Sequence, residues 1–230
     1  MTIKNYCYEY PHPAVTMDSI VFGFDGTNLK VLLIERGGEP HKGKWAFPGG
    51  FLNMDEPCKE GALRELEEET GLKGVHLRQF HTFSQPFRDP RERIVTVSYY
   101  AVTVLQNVCA GDDAAHARWF ALDEVPPLAF DHNRMLEIAI KSLRRDVFFH
   151  PIGQQALPHN FTLAQLETLY KAIPGLEEKA SLFPKKLLRL GILHPLVEEN
   201  ATESSNQTEL YQFDKTLYDF YVREGFLPEL

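Results

Sequence analysis

Residues 50–72 read GFLNMDEPCKEGALRELEEETGL. This stretch holds seven acidic residues in 23 positions, and Glu65, Glu68 and Glu69 recur at helical spacing. At about 100° per residue, these three carboxylates share one stripe of a helix. The neighbouring stripe is apolar: Ala62, Leu63, Leu66. The sequence therefore predicts a helix with one buried face and one face crowded with carboxylates.

The ends of this helix are marked in the sequence. Asp55 is of a residue type that caps helix starts, and Pro57 suits the first turn. Gly71 follows Thr70 and is suited to the left-handed conformation that closes a helix. We therefore expect the helix to begin shortly after Asp55 and to end at Thr70.

Like charges three and four residues apart destabilise a helix, so this acidic face needs an explanation. A hard divalent cation such as Mg²⁺ or Mn²⁺ takes oxygen ligands and would convert the repulsion into coordination. Arg64 lies four residues before Glu68 and is placed to hold a carboxylate. The alternative is a solvated acidic face, and the regular spacing favours the metal site.

The same residues resemble the Nudix box. Gly50, five residues, Glu56, seven residues and then RELEEETGL over Arg64–Leu72 match the fixed positions of that motif. The resemblance implies hydrolysis of a diphosphate linked to another group, with Mg²⁺ or Mn²⁺ as cofactor. It also implies the residue roles. The metal ligands are Glu65, Glu68 and Glu69, the pair that orients them is Arg64 and Glu56, and Gly50 gives a close backbone approach.

The general base is left open, because Nudix enzymes place it variably. Glu65 is a candidate inside the box, and Glu92, Asp112 and Asp113 are candidates outside it. Spacing selects none of them.

Length, charge and cysteines narrow the class of protein. The chain has 230 residues, a formal net charge of −8 and three widely spaced cysteines without a CxxC pair. No apolar run approaches the roughly 20 residues that span a bilayer, and the N-terminus lacks the pattern of a signal peptide. We therefore expect reduced thiols, a cytoplasmic location and no membrane association.

The first domain, residues 1–150, is predicted to be α+β. Strand patterns at 14–24, 29–35, 75–83, 94–105 and 116–122 accompany a helix at 131–146. This order is consistent with the α/β/α sandwich with a mixed sheet that the Nudix resemblance implies over residues 12–147.

Two loops of this domain are predicted to contact substrate. Gly49 and Gly50 allow a ligand to approach the backbone closely. Arg88, Arg91 and Arg93 fall within six residues between two predicted strands, and guanidinium groups match phosphate bidentately. The alternative is a hairpin tip held by surface ion pairs with Asp89 and Glu92.

The second domain, residues 151–230, follows a break rich in proline at 148–160. Thr162 and Gln165 form a capping box before a helical pattern, and a second helical pattern covers 185–190, with Ser181 as its expected cap. A hairpin is expected to follow, with its tip at 198–208 and a strand in 209–214. Helix, turn, helix and hairpin are typical of a winged-helix module.

This half resembles Nudix-related regulators that sense ADP-ribose, and their hydrolase relatives. Residues 151–230 contain 7 Lys and Arg against 11 Asp and Glu, whereas DNA binding requires a positive face. Lys179, Lys185, Lys186 and Arg189 are local cations that an expected homodimer would double. The missing positive charge and the intact box thus favour a hydrolase of a nucleoside diphosphate sugar over its alternative, an ADP-ribose-responsive DNA-binding regulator. The resemblance and the arginine loop suggest ADP-ribose as the substrate, cleaved to AMP and ribose 5-phosphate, and other sugar nucleotides and NADH are left open.

Overall fold

A mixed sheet forms the first domain. The computed structural model describes residues 8–111, 114–196 and 209–226. Seven strands of the described part make this sheet: β1 (Ala14–Phe24), β2 (Leu29–Arg36), β3 (Trp45–Ala46), β4 (Gly49–Phe51), β5 (Arg78–Phe83), β6 (Ile94–Val104) and β7 (Ala114–Ala121).

Strand β1 organises the sheet. It pairs parallel with β6 along its whole length, while its first half pairs antiparallel with β4 and its last residues pair antiparallel with β2. Strand β2 also pairs with β3 and β7, and β5 pairs with the outer side of β6. The loop before β4 and the first half of β1 therefore meet at one end of the sheet.

Alternation along β1 divides the core between two helices. Met17 and Val21 pack in the cluster under α1 (Cys58–Thr70), whereas Ile20 and Phe22 pack in the cluster under α2 (His132–Asp146). The sheet is thus covered on both faces, which confirms the predicted α/β/α sandwich.

One predicted end of α1 is correct and the other is wrong. Gly71 has φ 72° and its N–H donates to the Glu67 carbonyl, as expected for a left-handed helix end. Asp55 does not cap the helix, because the N-cap is Pro57, which is extended and makes no side-chain cap. The preceding loop is closed instead by Glu56, whose Oε1 accepts from the Asn53 N–H at 2.9 Å.

The second domain has the predicted order of elements. Thr162 and Gln165 form both bonds of the capping box. The second helix begins at Leu182, three residues before the predicted start, and Ser181 occupies its N-cap position without a side-chain bond. The expected hairpin tip at 198–208 falls outside the described residues. The elements are α3 (Leu163–Lys171), α4 (Leu182–Arg189), β8 (Leu193–Pro195), antiparallel β9 (Tyr211–Phe213) and α5 (Lys215–Glu224).

Helix α5 was not expected from the sequence. Asp214 caps it by accepting from the Leu217 N–H at 2.8 Å. The helix packs at the junction of the two domains, where the Tyr218 hydroxyl donates to the Pro151 carbonyl at 3.3 Å. The N–H of Phe226, just beyond the helix, donates to the Phe149 carbonyl.

One apolar cluster runs through both domains. It contains Phe22 and Met135 of the first domain together with Phe161, Tyr170 and Phe183 of the second. A shared core of this kind couples the two domains mechanically. Among the described helices, none combines the length and the apolar character needed to cross a membrane.

Candidate ligand-binding site

A cavity of about 670 Å³ opens where β1, β4 and the start of α2 meet. The box contributes Gly49, Gly50, Arg64, Glu65 and Glu69 to its lining. The arginine loop and its neighbours contribute further polar and aromatic groups: Arg88, Asp89, Arg91, Phe130, His132. The structure therefore brings most of the residues predicted to act on a ligand to one cavity.

Arg64 organises the box. Its guanidinium donates twice to Glu56, at 3.0 and 2.7 Å, and its Nη1 donates to Glu65 at 2.8 Å and to Glu68 at 3.0 Å. The bonds from Arg64 lower the pKa of Glu56 to about 2. Glu56 therefore remains charged and holds the guanidinium between the other carboxylates.

The two glycines before the box allow the chain to pass close to these acids. The Gly49 N–H donates to Glu69 Oε2 at 2.8 Å. A Cβ on Gly49 would collide with the Met17 carbonyl oxygen, and a Cβ on Gly50 would collide with the Glu65 carboxylate. These close approaches require glycine on steric grounds.

Burial shapes the ionisation of the acids in the cavity. Burial raises the pKa of Glu69 to about 8, against the opposing effect of the Gly49 hydrogen bond. It also raises the pKa of Glu65, against the pull of Arg64. The Glu68 side chain is 58% exposed and does not line the cavity.

Carboxylate oxygens suit Mg²⁺ or Mn²⁺ in donor chemistry. In the described part of the chain, however, no three His, Cys, Asp or Glu side chains are grouped so as to hold a metal ion. Arg64 occupies oxygens of Glu65 and Glu68, and the Gly49 N–H occupies one of Glu69. The predicted ligands thus have the right chemistry but are not assembled, and their role remains a prediction.

The three arginines of the loop have different surroundings. The Arg88 side chain is 5% exposed and donates to Asp131 and Thr96, whereas Arg91 pairs with Asp89 at 2.7 Å. Arg93 donates to the Ser84 carbonyl and does not line the cavity. The structure therefore brings Arg88 and Arg91 to the ligand site. The pair between Arg91 and Asp89 is one of the ion pairs expected under the alternative interpretation, a hairpin tip held by surface ion pairs.

The candidate general bases differ in their positions relative to the cavity. Glu65 lines the cavity, whereas Glu92 is exposed and does not line it. Asp112 and Asp113 lie outside the described residues.

Aromatic rings and guanidinium groups alternate along one wall. The guanidinium of Arg91 lies 5.2 Å from the Phe51 ring centre and 5.8 Å from that of Phe130. Arg36 lies 4.9 Å from the centre of the Phe130 ring. Such a wall offers both positive charge and flat apolar surface to a ligand.

The floor of the cavity holds a pair that sequence reasoning missed. Asp18 Oδ1 lies 4.0 Å from His132 Nε2, and both residues are buried. A charged residue in the largely apolar strand β1 was the available signal for Asp18. The proximity of His132 depends on how α2 docks on the sheet, which the local sequence does not show.

Comparison with known proteins identifies the first domain. A family model described as NUDIX domain matches residues 12–138, more than half of the 230 residues. The chain belongs to the Nudix family. A second model, described as NrtR DNA-binding winged helix domain, matches residues 153–213. The chain therefore joins a Nudix domain to an NrtR-type winged-helix domain.

Three relatives of the Nudix chain are informative. It is 32% identical to the ADPR responsive transcriptional repressor NtrR of Acinetobacter baylyi over 92% of this chain and 86% of that one. It is 38% identical to the ADP-ribose pyrophosphatase of Methanocaldococcus jannaschii over 56% and 73% of the two chains. The crystal structure of Shewanella oneidensis NrtR with a 27mer DNA superposes with a TM-score of 0.76, at 27% identity, over 94% and 99%.

Proposed function

We propose that the protein is a DNA-binding transcriptional regulator whose Nudix domain binds ADP-ribose. The repressor of A. baylyi resembles this chain over both domains, whereas the pyrophosphatase of M. jannaschii matches 56% of it. The winged-helix match adds a domain described as DNA-binding. These findings favour the regulator over the hydrolase that the sequence alone favours.

The observation that carries this proposal is the path of helix α2. Its first residue, His132, lines the cavity, and the preceding Asp131 is held by Arg88 from the arginine loop. The helix has 15 residues and spans about 22 Å. It therefore begins at the ligand site and ends beside the winged-helix domain.

Contacts at the far end of α2 join it to the second domain. The Phe148 ring lies 5.2 Å from the Phe183 ring of α4, and Lys186 Nζ donates to the Phe148 carbonyl at 2.9 Å. Arg144 packs so closely on Gly175 that a Cβ there would collide with its guanidinium. A shift at the start of α2 would thus reach α4, the helix that we expect to face DNA.

The acidic total charge of the second domain is compatible with DNA binding if the charge of each face is considered separately. A net charge averages over all faces, whereas DNA binding depends on the face that meets phosphate. On α4, Lys185 and Arg189 are exposed, while Lys186 is directed towards the domain junction. This local pattern gives α4 a basic outer face despite the acidic total.

The cavity suits a nucleoside diphosphate sugar. Arg36 and Arg91 offer positive charge for phosphates, and Phe51 and Phe130 offer surfaces for stacking. The volume of about 670 Å³ falls within the range of small-molecule sites. ADP-ribose is the ligand of this class that the name of the A. baylyi relative specifies.

Direct binding measurements test the proposal. The full chain is titrated by fluorescence anisotropy with labelled DNA from its own upstream region, at several salt concentrations, and with scrambled DNA as the control. ADP-ribose binding is measured separately by calorimetry. We expect tighter binding to the upstream DNA than to the scrambled DNA, and saturable ADP-ribose binding. Equal affinity for both DNAs would contradict the regulator.

Hydrolysis of ADP-ribose is the second candidate, favoured by the complete box sequence and by the pyrophosphatase relative. Mg²⁺ or Mn²⁺ would supply charge neutralisation and an activated water, with Glu65, Glu68 and Glu69 as the side chains to hold it. AMP release with either cation tests this activity. If AMP is released, Glu68→Gln should abolish release while leaving DNA binding intact.

A further inference from the structure

Strand β1 carries a carboxyl group that is buried at the floor of the cavity. Asp18 is 8% exposed, is the charged residue of a largely apolar strand and lines the cavity. Gly49 passes so close that a Cβ there would lie 2.6 Å from Asp18 Oδ1. Burial of a carboxyl group is costly without hydrogen-bond partners, so its surroundings are informative.

The protein satisfies this carboxyl group only in part. The Thr96 hydroxyl is close enough to interact with Asp18, but it is also bonded to Thr16 and Arg88. The guanidinium of Arg88 is held by Asp131 in two bonds. A carboxylate offers about four acceptor positions, so Asp18 retains acceptor capacity towards the cavity.

His132 presents a donor beside it. The Phe47 N–H donates to His132 Nδ1 at 3.0 Å, which places the proton of the neutral ring on Nε2. Burial lowers the pKa of His132 to about 3, so the ring is neutral at physiological pH. Its orientation is fixed further by the Phe47 ring, which stacks on it at 5.2 Å.

The separation of the two groups matches one bridging atom. Nε2 and Oδ1 are 4.0 Å apart, too far for a direct hydrogen bond. An oxygen about 2.8 Å from each atom would make an angle of about 90° between them, which a hydroxyl tolerates. A hydroxyl both accepts and donates, whereas an ammonium group would leave Nε2–H unpaired and a phosphate would face the Asp18 carboxylate.

We propose that Asp18 and His132 jointly bind one ribose hydroxyl of the ligand. His132 Nε2–H donates to the hydroxyl oxygen, and the hydroxyl donates to Asp18 Oδ1. The pair thereby selects ligands that carry a ribose hydroxyl at this position. This inference rests on the proposed binding of ADP-ribose and extends it to the residues that read the sugar.

The test compares the variant Asp18→Asn with the wild type on three ligands by calorimetry: ADP-ribose, ADP and 2′,3′-dideoxy-ADP. Asp25→Asn, in an exposed turn after the same strand, is the matched control. We expect Asp18→Asn to weaken ADP-ribose binding about 10-fold and Asp25→Asn to leave it unchanged. His132→Gln, which retains an acceptor for the Phe47 N–H, provides a second variant if Asp18→Asn does not fold.

The ligand series distinguishes the source of the hydroxyl. A loss confined to ADP-ribose assigns it to the terminal ribose, and a loss shared by ADP-ribose and ADP but not by the dideoxy compound assigns it to the adenosine ribose. Equal losses on all three ligands, as expected for a structural role or contact with the base, would overturn the inference. No loss on any ligand would also overturn it.

The wild type separates this inference from the proposed function. If wild-type protein does not bind ADP-ribose, the proposed function fails and this inference fails with it. If wild-type protein binds ADP-ribose, and Asp18→Asn and His132→Gln bind it as tightly as the wild type, only the present inference fails.

Discussion

Arg88 and Asp131 form a bidentate ion pair, with Nε to Oδ2 at 3.0 Å and Nη2 to Oδ1 at 2.6 Å. The pair joins the arginine loop to the residue that precedes α2. The side chains are 5% and 22% exposed, so the pair is largely shielded from water. One face of the Nudix cavity is thereby tied to the helix that leads to the winged-helix domain.

Loss of this arginine should destabilise the fold. Arg88→Met leaves Asp131 without its partner in a mostly buried position, and we expect the free energy of unfolding to fall by about 3 kcal/mol. Urea denaturation measures this change. Arg93→Met is the control, because Arg93 is exposed and its guanidinium donates to the Ser84 carbonyl. We expect about 0.5 kcal/mol or less for Arg93→Met, and equal losses would contradict the structural role of Arg88.

Gly50 should not accept a side chain. A Cβ at this position would overlap the Glu65 carboxylate, so Gly50→Ala must displace either the strand or the acid. We expect a loss of about 1–3 kcal/mol in unfolding free energy, measured by urea denaturation. Gly38→Ala is the matched control, because no described atom beyond its chain neighbours lies within 4 Å of its Cβ position and its φ is not left-handed. Full stability of Gly50→Ala would show that the box is looser than the structure indicates.

The box and the sheet could be predicted because their signals are local. Helical periodicity alone places Glu65, Glu68 and Glu69 on one stripe, and β-branched runs mark strands such as β6. Gly71 ends α1 as expected, since few other residues adopt its conformation easily.

The remaining features depend on distant contacts. Arg88 and Asp131 are 43 positions apart, and only the docking of α2 brings them together. Asp18 and His132 meet for the same reason. Asp55 shows that a local signal can also mislead. It is of a residue type that caps helices, but it does not cap α1, because the neighbouring Glu56 closes the loop before the helix.

The pKa values of Asp18 and His132 shift in opposite directions. Burial raises the pKa of Asp18 to about 7 from 3.8, and burial lowers the pKa of His132 to about 3 from 6.5. Between roughly pH 4 and 6.5, folding therefore adds a proton to Asp18 and removes one from His132. The two contributions to the pH dependence of stability nearly cancel in the wild type.

Single substitutions should expose each contribution. Other buried acids such as Glu69 also contribute to the pH dependence, so each variant is compared with the wild type. His132→Gln removes the contribution of the lowered pKa of His132, so between about pH 4 and 6.5 its stability should decrease with rising pH relative to the wild type, by up to about 1.4 kcal/mol per unit. Asp18→Asn removes the contribution of the raised pKa of Asp18, so over the same range its stability should increase with rising pH relative to the wild type. Urea denaturation at pH 4.5, 5.5 and 6.5 measures both differences in slope, and differences of the same sign would contradict these assignments.

The basic face of α4 should contribute to DNA affinity through phosphate contacts. Lys185 is exposed on this helix, and Lys185→Ala should weaken binding to all DNA sequences while reducing the slope of log affinity against log salt by about 1. Anisotropy titrations at several salt concentrations measure this slope. Lys59→Ala, on the exposed side of α1 in the Nudix domain, is the control and should leave the slope unchanged. An unaltered slope in Lys185→Ala would place DNA on another surface.

We propose that the Nudix cavity controls DNA binding through α2, so ADP-ribose in the cavity should change the affinity for DNA. The affinity of the full chain for its upstream DNA is determined by anisotropy without ADP-ribose and with saturating ADP-ribose. We expect the dissociation constant to change by about 5-fold or more, and DNA to change the affinity for ADP-ribose by the same factor. An unchanged DNA affinity, with ADP-ribose bound, would contradict control of DNA binding by the Nudix cavity.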